Sequence, residues 1–261
     1  MFQTDLAGLR GVRAPGKGEF GGPGMRLQDA RILFVDDEPF LLDIFSLWIT
    51  GAKRDLISTA ADGLQALEMM AENEYDLLVT DVNMPRLNGV DLVRRMAGVG
   101  ILPPSIVFVS GFGGVGEREM YGLGVEAFLE KPVLRQTLLE TMEHALAARG
   151  DLWATPLESP PRHSVSIEAV DFRDSALNGG IALGRGGFSA PYPNPVAQGK
   201  ISFDCHLSAL DLRFSGEGYV RWRSKVEGTI GVEFAYLNES CRGAIVEEIN
   251  RSCLRAFIPA Q

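Results

Sequence analysis

Five short apolar runs, RILFV (31–35), DLISTA (55–60), YDLLVT (75–80), SIVFVS (105–110) and EAFLE (126–130), alternate with stretches of helical periodicity. No feature restricts the fold of this chain more. The intervening segments are FLLDIFSLWI (40–49), DGLQALEMMAENE (62–74), GVDLVRRMAGV (89–99), GEREMYGLG (116–124) and RQTLLETMEHALAAR (135–149). Parallel strands need crossover connections, and near-continuous apolar strands need both faces covered. The alternation therefore predicts an α/β doubly wound, five-stranded parallel sheet. Right-handed crossovers place the C-terminal ends of all its strands on one edge, where such sheets bind ligands.

Polar residues gather at that edge. Asp36 and Asp37 end the first run, Asp81 the third and Ser110 the fourth, while Lys131 follows the fifth. Taken singly, an aspartate at a strand end is usually a turn former or helix cap, and a Lys-Pro pair a solvated loop. Five such positions at matching strand ends point instead to one site. Three carboxylates brought together repel one another and raise one another's pKa unless a cation joins them. Oxygen ligands in a partly solvated pocket suit Mg²⁺, and Lys131 with the Ser110 hydroxyl would face a bound anion. Pro132 stiffens the approach of Lys131, and Pro85 the loop after Asp81.

The net charge of −9 is concentrated in this half: residues 30–150 hold 10 Lys/Arg against 18 Asp/Glu, and residues 151–261 hold 11 against 13. Neither half has the basic footprint of a nucleic-acid binder. No apolar run approaches the ~20 residues of a membrane span, and no basic-then-apolar leader opens the chain. A cytoplasmic protein without membrane insertion is expected. Cys205, Cys241 and Cys253 have no pairing or metal spacing and read as reduced packing residues. Residues 1–29 are rich in glycine and poor in large apolar side chains, which predicts a flexible tail.

After Arg149 the pattern changes. DLWATPLESPPRH (151–163) reads as a linker, placed at residues 150–162. Strand-like runs follow at 164–172, 200–207, 210–214, 218–223 and 229–237, separated by glycine turns, before a helical stretch at 239–253. Residues 163–261 are thus expected to form a small antiparallel β-barrel with a C-terminal helix.

The motifs ILFVDDEP, LLVTDVNMPRLNG, IVFVSGF and AFLEKP together resemble the receiver domain of two-component response regulators, a flavodoxin-like fold, over residues 30–149. The resemblance implies that Asp81 accepts a phosphoryl group from a histidine kinase or phosphotransfer protein. It makes Asp36, Asp37, Asp81 and the backbone carbonyl of Asn83 the ligands of Mg²⁺. Ser110 matches the switch hydroxyl, Lys131 the lysine that pairs with the phosphoryl group, and Phe128 the switch aromatic. A haloacid-dehalogenase-type phosphatase shares the aspartyl-phosphate chemistry. It needs an acid–base aspartate two residues after the nucleophile, where this chain has Asn83, so no enzyme is expected. The glycines of SGFGGVGEREMYGLG predict a short, late-starting or mobile fourth helix and suggest a switch by ordering of residues 111–124.

The second half resembles a PilZ domain through IALGRGGFSA (181–190), GYVRWRSKVEGTIGVEF (218–234) and the closing helix. Many PilZ domains bind cyclic di-GMP through an RxxxR segment and a [D/N]xSxxG turn. Here the turn aligns as Ala182, Gly184 and Gly187, and Glu158 stands four positions before Arg162, where the first arginine is expected. Each unmatched buried polar group loses about 1–3 kcal/mol, so the resemblance implies a degenerate domain that acts by contact with a downstream protein. The alternative is a dual-input regulator that still binds cyclic di-GMP through Arg162 and Arg185.

Overall fold

The computed structural model describes residues 24–49, 54–98, 101, 104–111, 116–172, 179–252 and 254–260. Most of the expected tail (1–23), part of the glycine-rich 111–124 segment and Cys253 lie outside the described residues.

Five strands, β1 (Ile32–Val35), β2 (Ile57–Ala60), β3 (Leu77–Thr80), β4 (Ser105–Ser110) and β5 (Val125–Glu130), form one sheet in the order β2-β1-β3-β4-β5. The pairs β1–β2, β1–β3 and β3–β4 are parallel. Every residue of β1 and β3 is buried, as the absence of alternation in their sequences requires. Helices α1 (Pro39–Trp48), α2 (Gly63–Glu72), α3 (Gly89–Gly98) and α5 (Arg135–Leu146) each bury an apolar stripe. Asp62 starts α2 by accepting hydrogen bonds from the amides of Leu64 (2.8 Å) and Gln65 (3.1 Å). The fourth helix, α4 (Glu117–Leu123), has seven residues, which agrees with the short helix expected there.

Beyond a one-turn α6 (Arg149–Leu152) lie β6 (His163–Ala169), β7 (Ala182–Leu183), β8 (Gly187–Pro191), β9 (Gly199–Leu207), β10 (Leu212–Ser224) and β11 (Thr229–Leu237). The last helix is α7 (Glu239–Ser252). The strand order is β6-β9-β10-β11-β8-β7, and a bridge between Phe172 and Ile181 joins the two ends into a barrel. Phe188, Phe203, Phe214 and Phe234 fill its interior with tilted and edge-on contacts at 5.3–6.5 Å between ring centroids. Cys241, Ile245 and Ile249 form the buried stripe of α7, and Cys205 and Cys241 are buried free thiols.

Three expectations need correction. The barrel is mostly rather than wholly antiparallel, because β6 pairs parallel with β9. The segments 210–214 and 218–223 belong to one thirteen-residue strand, β10. Gly216 and Gly218 do not turn the chain; a Cβ there would stand 2.0 Å from the Tyr236 oxygen and 2.3 Å from that of Glu233. They allow close strand approach beside a register shift at Glu217/Gly218. The expected linker also contributes to the core: Trp153 is buried and meets Phe234 edge-on at 5.0 Å.

The chain divides into two compact units, but not at residue 150 alone. The first holds residues 26–112 and 127–145. The second holds α4, the first two residues of β5 and everything from Leu146 onward.

Candidate phosphoacceptor site

Within the first unit, the adjacent strands β1, β3 and β4 bring Asp36, Asp81 and Ser110 to one sheet edge. All three are buried, at 2%, 6% and 1% exposure. The backbone sets their places: the Asp81 amide donates to Val35 O at 2.8 Å, and the Lys131 amide to Ser110 O at 2.9 Å. Carboxylate oxygens of Asp36, Asp37 and Asp81 lie within 4.8 Å of one another. Lys131 Nζ bridges two of them, donating to Asp36 Oδ2 at 2.8 Å and Asp81 Oδ2 at 2.7 Å.

The remaining oxygens are also committed. Asp36 Oδ1 accepts from the Glu38 amide at 2.9 Å, and Asp81 Oδ1 from the Asn83 amide at 2.9 Å. Asn83 Nδ2 donates to Ser110 Oγ at 3.2 Å. Burial pushes the Asp36 carboxyl above its usual range, against the opposing pull of Lys131 and the Glu38 amide. For Lys131 burial acts in the opposite sense, but its bonds to Asp36 and Asp81 outweigh it and hold the ammonium above the ordinary lysine value. Lys131 therefore stands charged among carboxylates, the state needed to pair with an incoming anion.

The sequence reasoning overlooked Glu38, whose Oε1 lies 3.5 Å from Lys131 Nζ; the third acid of DDEP was the available signal. Phe128, on β5, is 41% exposed. Hard oxygen donors gathered around one point fit a hard divalent cation.

Arg162 and Arg185 stand apart from this cluster, in the second unit. Arg162 is exposed. Arg185 is 2% exposed, and its guanidinium donates to Gly124 O at 2.7 Å and Arg255 O at 3.2 Å while facing Glu126 at 3.2 Å. The guanidinium that the dual-input alternative assigns to cyclic di-GMP is thus taken by groups of the chain itself.

Comparison with known proteins agrees with the first unit. Residues 32–143 match the family described as the response regulator receiver domain. Response regulator MprA of Mycobacterium tuberculosis is 38% identical over 152 residues, 57% of this chain and 60% of that protein. Transcriptional regulatory protein CutR of Streptomyces coelicolor is 32% identical over 105 residues, 39% of this chain and 46% of that protein. Sensor histidine kinase RcsC of Salmonella typhimurium is 29% identical over 114 residues, 44% of this chain but 12% of that protein. The chain thus spans no more than 60% of these relatives. Among the described residues no helix is long and apolar enough to cross a membrane. Residues 32–143 are thus similar to the receiver domain of response regulators.

Proposed function

We propose that this chain is a phosphorylation-controlled response regulator in which Asp81 accepts a phosphoryl group from a histidine kinase or phosphotransfer protein. The observation that carries the reading is the charged Lys131 held 2.7 Å from the Asp81 carboxylate, with the Ser110 hydroxyl at the neighbouring strand end. In the transfer, Asp81 Oδ2 forms the new O–P bond as the N–P bond of a phosphohistidine protonated on its other ring nitrogen breaks, and neutral imidazole leaves with the N–P electron pair. Lys131 moves from a carboxylate to the phosphoryl oxygens, and the Ser110 hydroxyl donates to another. The buried strands hold the carboxylate still, which confers the positional advantage on a weak nucleophile.

Asp36, Asp37, Asp81 and the Asn83 carbonyl are the groups that would hold Mg²⁺. When bound, the ion neutralises charge on the transferring group. The second unit is the output element, a PilZ-like barrel that acts through contact with a downstream protein and not as an enzyme. The committed state of Arg185 counts against cyclic di-GMP as a second input. Acetyl phosphate treatment should add one phosphoryl group to the intact protein, as read by mass spectrometry, and none to Asp81→Asn. Equal labelling of both would refute the assignment.

A further inference from the structure

The seven residues of α4 are too few to be stable as an isolated helix, and no side chain caps the start of this one. Packing within the second unit holds it instead. Arg118 donates to Ala260 O through Nε at 3.0 Å and Nη2 at 2.7 Å, pairs with Glu227 at 2.5 Å, and lies 4.9 Å over the Trp222 ring. The Tyr121 carbonyl accepts from the amides of Phe257 (2.9 Å) and Ile258 (3.3 Å), and the Tyr121 and Phe257 rings stack at 5.9 Å. Gly124, at φ +94°, ends the helix, and its carbonyl receives Arg185. Glu126, two residues on, lies between Arg149 at 2.6 Å and Arg185 at 3.2 Å.

The C-terminal segment 254–260 is fastened on its other side to the β7–β8 turn. The Arg185 amide donates to Ala256 O at 2.8 Å and the Gly186 amide to Phe257 O at 2.9 Å. A Cβ on Gly186 would stand 2.0 Å from the Phe257 ring, so the glycine leaves room for that ring. The segment is a strap between barrel and helix.

Both chain connections from α4 lead to groups that would bind a phosphoryl oxygen. Ser110 lies six residues before Gly116, and β5 runs from Val125 and Glu126 to Glu130, the neighbour of Lys131. We propose that segment 254–260 and Arg185 form a latch that retains α4 in the second unit, and that latch closure and phosphorylation of Asp81 oppose each other. This rests on Asp81 being the phosphoacceptor. Ser110 and Lys131 must redirect their polar atoms toward a phosphoryl group, and both are joined along the chain to α4, Lys131 through strand β5.

The test uses the full chain and beryllofluoride with Mg²⁺ as the phosphoryl mimic. The mimic should speed amide exchange in both 117–126 and 254–260. Gly122→Ala provides a sign test. Alanine raises intrinsic helix stability, yet its Cβ would stand 2.7 Å from that of Ala260. A latch predicts faster exchange of α4 in this variant and beryllofluoride affinity raised about fivefold or more, the lower range of typical coupling. Arg118→Gln should act in the same direction. Slower α4 exchange in Gly122→Ala, unchanged affinity in both variants, or undisturbed 254–260 protection in the mimic complex would overturn the latch. If acetyl phosphate labels Asp81 while these signs fail, only the latch falls. If neither labelling nor mimic binding occurs in the wild type, the phosphoacceptor reading falls and the latch with it.

Discussion

Replacing Lys131 by methionine removes the positive charge from the acidic cluster while keeping a similar chain length. Lys131 makes two charge-assisted bonds, at 2.8 and 2.7 Å, to carboxylates that are themselves buried. Removing one partner of a buried charge pair costs about 3–5 kcal/mol. The third contact, to the exposed Glu38, adds less than about 1 kcal/mol. Water admitted at the partly open lysine favours the lower end, so about 3 kcal/mol is expected. With a urea dependence near 2 kcal/mol/M, the midpoint of the first unit should fall by about 1.5 M.

The chain has two units, so the assay should follow each separately. Amide exchange across a urea series, read in peptides covering β1 and β3, does so. Three carboxylates without an internal cation should also bind Mg²⁺ more tightly than in the wild type. At one hundred times its Kd the ion contributes about 2.7 kcal/mol and should restore most of the loss. Asp81→Asn on the Lys131→Met background should recover part of it without metal. An unchanged midpoint, or equal Mg²⁺ responses in wild type and variant, would refute the electrostatic account of this site.

Glu126→Ala should destabilise the second unit by about 3–5 kcal/mol, because it leaves the buried Arg185 without its carboxylate; Arg213→Ala should leave the urea midpoint unchanged, since the Arg213–Asp204 pair is exposed and screened by solvent. Gly231→Ala places a Cβ 2.1 Å from the Trp222 ring and should lose about 1–3 kcal/mol by overpacking, measured by the same urea series. Burial pushes the Tyr121 hydroxyl up to about 12 from its ordinary 10.0, so its folded-state pKa exceeds the unfolded one. The stability it contributes is fully present below pH 10.0 and lost as pH rises through about 12, which ultraviolet titration of wild type against Tyr121→Phe should resolve.

The sheet and its acidic edge were legible because their information is local. Each strand is one apolar run, and in a parallel sheet the residue that ends a run must lie at the C-terminal edge. Asp36, Asp81, Ser110 and Lys131 needed no further knowledge to be placed together. Strands β6, β9 and β11 were likewise visible from alternation and α7 from its helical pattern, whereas β7 and β8 were not read as strands and β10 was read as two. Glu38 escaped because a side chain at the start of a helix gives no local sign of how near a distant lysine lies.

By itself, then, the sequence determined the five strands of the parallel sheet and which edge carries the carboxylates, since period and run length depend on neighbours along the chain. Only tertiary structure decided what the glycines and arginines of the 116–126 and 181–190 segments are for. Gly122 and Gly124 read as helix weakeners, yet they let α4 pack against Ala260 and Arg255, and Gly216 read as a turn inside a continuous strand. Arg185 read as a ligand contact only in the dual-input alternative, and the carbonyls of Gly124 and Arg255 take its guanidinium. A glycine's steric freedom and a buried charge's partner are settled by groups that arrive from elsewhere in the chain, and residue order does not reveal those groups before the chain has folded.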